Sequence, residues 1–399
     1  VTRVGGQIRR RVAAFATVSA ALAVAAAVAP PSGASPTTGV APVPLATSIQ
    51  SSAGTWATLP MGDLGQPLNT FWQLFFRPAG TTSWSNEVEA TATATNGGLI
   101  LSAAPGQPFI AGVRPAGLLH FSPLIATTDG GHSWTDGVVP KGLAASPDSL
   151  STTSSGSTLA LVDGGLKAQV LTSTGALSAW HTVTTAGRLA ASAAGKVCGL
   201  RNLVALATTS GEAVVGASCS HAGVVGIFTV RGGVARLVPL HLPAPLRAGR
   251  VQVLGLETAA SRLSALLAVT GKSGTALAVA RATAGGSWAV SSARTLSPGT
   301  RVASFGPTAG VGFFALVTTA SGRSSLVVDD DGAAGAAWEQ MPAPPKGTDT
   351  VAFDPSSTGS IDALAVDDST VTVWTLATPA SSWVSGQVLH VKIRFGSSS

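Results

Sequence analysis

The sequence predicts an all-β protein whose many short strands repeat in units, a sandwich or a propeller. Three observations carry that expectation. Gly, Ala, Val, Ser and Thr dominate the 399 residues, charged residues make up only 11%, and the apolar runs are short and broken by Gly and Pro, as strands are. After about residue 30 no long segment keeps the 3.6-residue apolar period of a helix. Tryptophan also recurs: the steps Trp134–Trp180, Trp288–Trp338 and Trp338–Trp383 are each about 40–50 residues, and Trp180–Trp288 is about twice that.

Taken in order, residues 1–34 read as a secretory signal peptide. Arg3, Arg9, Arg10 and Arg11 precede the apolar run Val12–Ala29, and Ala25-Ala26-Ala27 or Ser32-Gly33-Ala34 offers a small-residue cleavage site. An uncleaved membrane anchor is the alternative, because the run is about long enough to span. No Cys follows it, which argues against a lipoprotein, and Val1 reads as a non-ATG start and hence a bacterial gene. Residues 35–54 are rich in Pro, Ser and Thr and read as a linker. The folded domain is expected over 55–399.

Within that domain, strand-like runs come in sets of about four from Leu99 to Trp383. The terminal segments do not make complete sets: residues 55–90 lack one strand, and the alternating tail Val388–Phe395 lacks a partner. Together they are expected to complete one shared unit.

The most distinctive run is Thr127-Thr128-Asp129-Gly130-Gly131-His132-Ser133-Trp134, of the form Ser/Thr-x-Asp-x-Gly-x-x-Trp. Asp129 can accept N–H bonds of its own turn. Gly131 permits a positive φ or a close approach, and Trp134 carries a large apolar surface into the next strand. Degenerate copies keep Gly285 and Trp288 with Thr283 in place of the acid, or Asp329-Asp330-Asp331-Gly332 ahead of Trp338, while Trp180 and Trp383 keep only the spacing. The motif resembles the Asp-box, the bacterial neuraminidase repeat of sialidases, sortilin-type receptors and other β-propellers. The resemblance implies a propeller of four-stranded blades, seven by the spacing, with six or eight as alternatives. It makes Thr127, Asp129, Gly131 and Trp134 scaffold residues on the rim away from the ligand face.

Cys198 and Cys219 flank two apolar strands joined by the turn Thr208-Thr209-Ser210-Gly211. A hairpin would bring its ends together, so export favours a disulfide; a free buried pair is the alternative.

Catalytic chemistry is sparse. The sialidases that the motif resembles use a tyrosine nucleophile, and this chain has no tyrosine. Their Phe/Tyr-Arg-Ile-Pro signature has only a partial counterpart in Phe76-Arg77-Pro78. Arg77 is the one candidate ligand for a substrate carboxylate, against a plain strand-end arginine. No catalytic residue, metal or cofactor is expected, and the Asp329–Asp331 run reads as a polar turn rather than a Ca²⁺ loop. The formal charge is +6 and falls to +2 once residues 1–34, with four Arg and no acid, are removed. The remaining basic residues are scattered along the sequence, so neither nucleic acid nor an anionic membrane is implied. A membrane association would need the N-terminal segment to stay uncleaved.

These observations lead to a secreted, non-catalytic, monomeric propeller that binds an extracellular or cell-envelope protein or glycan. A polysaccharide-active hydrolase or lyase with a non-tyrosine mechanism, and a structural assembly factor, are the alternatives.

Overall fold

The computed structural model describes residues 46–391, apart from 63–69, 88–97, 114–123, 138–146 and 343–350 and the short turn segments 164, 176, 178, 210–211, 260–261, 284–286, 309–311, 331–334 and 356–359. The expected signal peptide, most of the expected linker and residues 392–399 lie outside it.

The chain is all-β and lays down antiparallel strands four at a time. In the 47–87, 99–137, 147–185, 301–340 and 351–390 segments, each set of four forms its own sheet in simple chain order. The 200–237 and 250–290 segments do the same, and a single bridge, Ser218 to Gln252, joins them, with the short strand Arg294–Thr295 added. Second strands such as Arg262–Gly271 and Phe313–Thr318 are almost continuously apolar and buried. That composition suits a sheet covered on both faces.

What covers those faces is the neighbouring sheet. Trp56, Phe76, Leu99 and Phe109 form one core between the 47–87 and 99–137 sheets. The same arrangement repeats between each sheet and the next. It ends with Ala352, Leu364 and Val373 of the 351–390 sheet packed on Leu59, Phe75 and Trp84 of the 47–87 sheet. First strands approach first strands around this ring, Gly255 lying against Phe305 between the 250–290 and 301–340 sheets, and the last one touches the first. A closed ring of face-packed four-stranded sheets is a β-propeller.

Two expectations about the ends are corrected. The strand Thr47–Gln50 falls inside the segment expected to be linker, and it is the first strand of the 47–87 sheet. Among the described residues the terminal sheets therefore do not share strands: Val384–His390 is the fourth strand of its own sheet, and residues 392–395 of the expected tail strand lie outside the described residues. The ring is closed by side chains instead. Ser48 Oγ donates to the Phe353 carbonyl, and Ser304 Oγ donates to the Ala46 carbonyl at 2.6 Å. Farther out, Gln387 accepts from Trp84 N and donates to Trp84 O, both at 2.7 Å.

Among the described residues, α-helix enters only in the connection to the 200–237 sheet. Ala186–Ala191 is capped by Thr185, which accepts from Arg188 N, and Ala193–Cys198 by Ser192, which accepts from Gly195 N. Gly199, at φ 60°, then ends the second helix, a backbone position that glycine fills without strain.

Candidate functional site

The Thr127–Trp134 run joins the third and fourth strands of the 99–137 sheet. Its polar groups turn inward on one another. Thr127 Oγ1 donates to Asp129 Oδ1 at 2.7 Å and accepts from Gly131 N at 3.0 Å. Asp129 accepts from Ser133 N at 2.9 Å and from Ser133 Oγ at 2.5 Å, so both carboxylate oxygens are used. Those donors, the Ser133 hydroxyl first, hold the Asp129 carboxyl well below the usual range. Gly131 has φ +94°, and a Cβ there would meet Glu87 and Trp56. His132 is exposed and its ring bonds the Asp129 carbonyl within the turn.

Trp134 is half-buried and caps the aromatic core of the preceding interface, edge-on to Trp56 and Phe109. The other fourth-strand tryptophans sit alike. Trp180, Trp288, Trp338 and Trp383 each pack into the core between their own sheet and the one before it. Trp84, which carries no turn signature in the sequence, fills the same position in the closing interface, about one repeat length before Trp134. Thr283 replaces the motif's acid by donating to the Ser287 carbonyl at 3.0 Å. Gly285 lies outside the described residues, as do Asp331 and Gly332.

One interface has no tryptophan among its described residues, that between the 147–185 and 200–237 sheets. It holds the disulfide. Cys198 ends the second helix, Cys219 ends the strand Glu212–Cys219, and the two are bonded with Cα atoms 4.9 Å apart. Leu200 pairs with Cys219 across the hairpin, so the closed end lies where the chain enters the sheet.

Arg77 sits at the end of a third strand, on the same end of the ring as the Thr127–Trp134 turn. Its Nη1 is 3.5 Å from Asp362 Oδ2 of the 351–390 sheet, its Nη2 donates to Thr55 at 3.4 Å, and its guanidinium lies 5.4 Å from the Trp84 ring centroid. Asp362 accepts in turn from Thr375 at 2.8 Å. This arrangement ties the two terminal sheets together.

One carboxyl stands out electrostatically. Glu257, on the first strand of the 250–290 sheet, is opposite Ser264, whose buried hydroxyl has no partner among the described residues. Desolvation raises the Glu257 carboxyl to about 7 against one backbone hydrogen bond from Thr258, so it is largely protonated in mildly acidic solution. No group of three metal-ligating side chains occurs among the described residues.

No protein-family model matches the chain, and no curated protein matches it. Among solved structures the chain is similar to a protein from Lactobacillus plantarum, at 12% identity and a TM-score of 0.50 over 84% of this chain and 96% of that one. It is also similar to the fucose-binding lectin of Aleuria aurantia, described as a six-bladed β-propeller, at 11% identity and a TM-score of 0.41 over 88% and 96%. YCF48 from Cyanidioschyzon merolae is similar at 12% identity and a TM-score of 0.45 over 70% and 81%. At 12% identity the likeness to the Lactobacillus plantarum protein speaks to fold and not to function.

Proposed function

We propose that the chain is an exported bacterial, non-catalytic propeller of seven blades that binds an extracellular protein or glycan. The single observation that carries this reading is how the motif residues are employed. Both carboxylate oxygens of Asp129 are bonded inside their turn, the tryptophans are packed between sheets, and Arg77 is engaged by Asp362. The groups that could have been functional are scaffold, and the tyrosine nucleophile of the resembled enzymes does not occur in the sequence. Seven sets of four strands, each packed on the next, support the blade number. The Arg-rich start and apolar run support export.

A binding module holds its ligand and returns it unchanged. The test is to incubate residues 35–399 with immobilised envelope polysaccharides and proteins, then compare retained ligand with its size before binding. Retention without change of size supports the reading, and progressive cleavage sinks it. One observation favours the hydrolase or lyase alternative: a carboxyl still protonated near neutral pH, such as Glu257, is what a general acid requires. Loss of any cleavage in Glu257→Gln would establish that alternative.

A further inference from the structure

The charge of this protein is segregated along the chain. Residues 186–328 hold thirteen Lys or Arg against two Glu, a net of +11. Residues 46–185 hold four against seven, and residues 329–399 three against nine. The basic residues are therefore gathered, not scattered as their wide spacing in the sequence first indicated, and the sheets they belong to are neighbours in the ring.

Six of the thirteen share one end of it. Arg201, Arg250 and Arg301 lie at the starts of three successive first strands, and the first two are exposed. Arg247 in the preceding connection, and Lys272 and Arg323 in turns between second and third strands, are exposed at the same end. The two acids of this stretch lie elsewhere. Glu212 opens its strand at the far end, 3.8 Å from Arg231, and Glu257 is near the far end of its strand. With strands about 4.8 Å and sheets about 10 Å apart, the field spans roughly 20 Å by 15 Å.

This geometry is a broad field of cations, not a convergent clamp on one anionic group. The surface between them is hydroxylic, with Ser220, Ser273, Ser297 and Ser321 at least partly exposed. Of the large apolar side chains exposed among the described residues, only Val197 lies at this end of these sheets. A bound peptide would want apolar anchors, and a single-stranded nucleic acid would want aromatic platforms. A sugar polymer brings the hydroxyls and regularly spaced charges that this field can satisfy.

We propose that this end of the 200–340 region binds a linear anionic polysaccharide, with Arg201, Arg250 and Arg301 pairing its carboxylates or sulfates. The proposal rests on the reading of the chain as a binding module and gives that module a surface and a ligand class. Polygalacturonate and dextran sulfate serve as carboxylate and sulfate probes. Neutral dextran, polyglutamate and oligothymidylate serve as the contrasts, all measured by titration at several salt concentrations. Either anionic glycan should bind with an affinity that falls with salt. The triple variant Arg201→Gln, Arg250→Gln, Arg301→Gln should weaken binding about tenfold or more and flatten the salt dependence. Lys272→Gln with Arg323→Gln, confined to exposed turns, should weaken it too. Arg231→Gln with Arg262→Gln, at the other end, should leave it unchanged.

Several outcomes would overturn the proposal: equal binding of dextran, tighter binding of polyglutamate or oligothymidylate at matched charge, or an unaffected triple variant. Shortening of bound polygalacturonate would overturn the non-catalytic reading alone, because the surface is judged by the variants.

Discussion

Removing the disulfide should lower stability by an amount the structure bounds. The perturbation is reduction of Cys198–Cys219, or the double substitution Cys198→Ala and Cys219→Ala. The bond spans 21 residues, for which restriction of the unfolded chain is worth roughly 3 kcal/mol. Spread over roughly 350 residues that unfold together at about 2.1 cal/mol/K each, that loss lowers Tm by about 4–5 °C. The interface concerned has particular need of the bond, since no tryptophan fills it among the described residues and Cys198 and Cys219 are themselves buried in its core. The assay is a thermal melt with and without reductant, with the free thiols counted by alkylation and mass spectrometry. Wild type should melt lower when reduced, and the double variant should melt at or below that temperature with no response to reductant. Reduced protein with two alkylated thiols that melts where the oxidised protein does would refute the argument. The covalent link would then be ornamental to an interface already held by its apolar side chains.

The other predictions concern single side chains. Trp84→Ala, which empties a site only 2% exposed in the closing interface, should cost about 3–5 kcal/mol by chemical denaturation. Trp134→Ala should cost less than Trp84→Ala because Trp134 is half-buried; equal losses would contradict this. Asp129→Asn should lower Tm at neutral pH. The carboxyl of Asp129 is depressed in the fold, so its contribution is present above the ordinary Asp pKa and disappears as pH falls through the folded value. Melts of the two proteins should therefore converge in strong acid. Glu257 has the opposite sign: its carboxyl is raised from 4.5 to about 7, so the fold binds the extra proton and loses stability as pH rises through that window. Glu257→Gln should flatten that decline and gain about 1–3 kcal/mol at pH 8 relative to wild type, and parallel pH profiles would show the assignment to be wrong.

The features legible in the sequence were local ones. A Gly at φ +94° and an Asp bonded within four residues of itself belong to one turn, and a run of eight residues can announce such a turn. The hairpin closed by the disulfide is also local, with two strands and a tight turn between them. Trp84 keeps the same spacing as the other tryptophans, but the residues before it, Pro78 to Ser83, include no acid. Spacing without the turn signature hid its place in the series. Closure of the ring is legible only as two ends that must meet, and the shared unit expected there is replaced by two separate sheets in contact. Alternation in the tail says which residues share a face but not which sheet that face meets. The partners that close the ring, Trp84 and Gln387, stand 303 residues apart.

The basic field shows why spacing misleads in a repeat protein. Arg201, Arg250 and Arg301 are about fifty residues apart, and in a single extended sheet or a bundle that separation would carry no meaning. In a ring whose unit is itself about fifty residues long, equal offsets become neighbouring positions on neighbouring sheets. A charge at the same offset in three consecutive units is thus a row on one end of the molecule. Like charges placed side by side repel, so stability alone gives no reason for the row. Each of the three starts could carry a neutral residue, as the first strands Leu99–Ser102 and Val351–Pro355 do at theirs. A row that the fold does not require, with Arg201 and Arg250 exposed and Arg301 half-buried, at an end where the scaffold turns are not, is the arrangement expected of a surface that takes an anion.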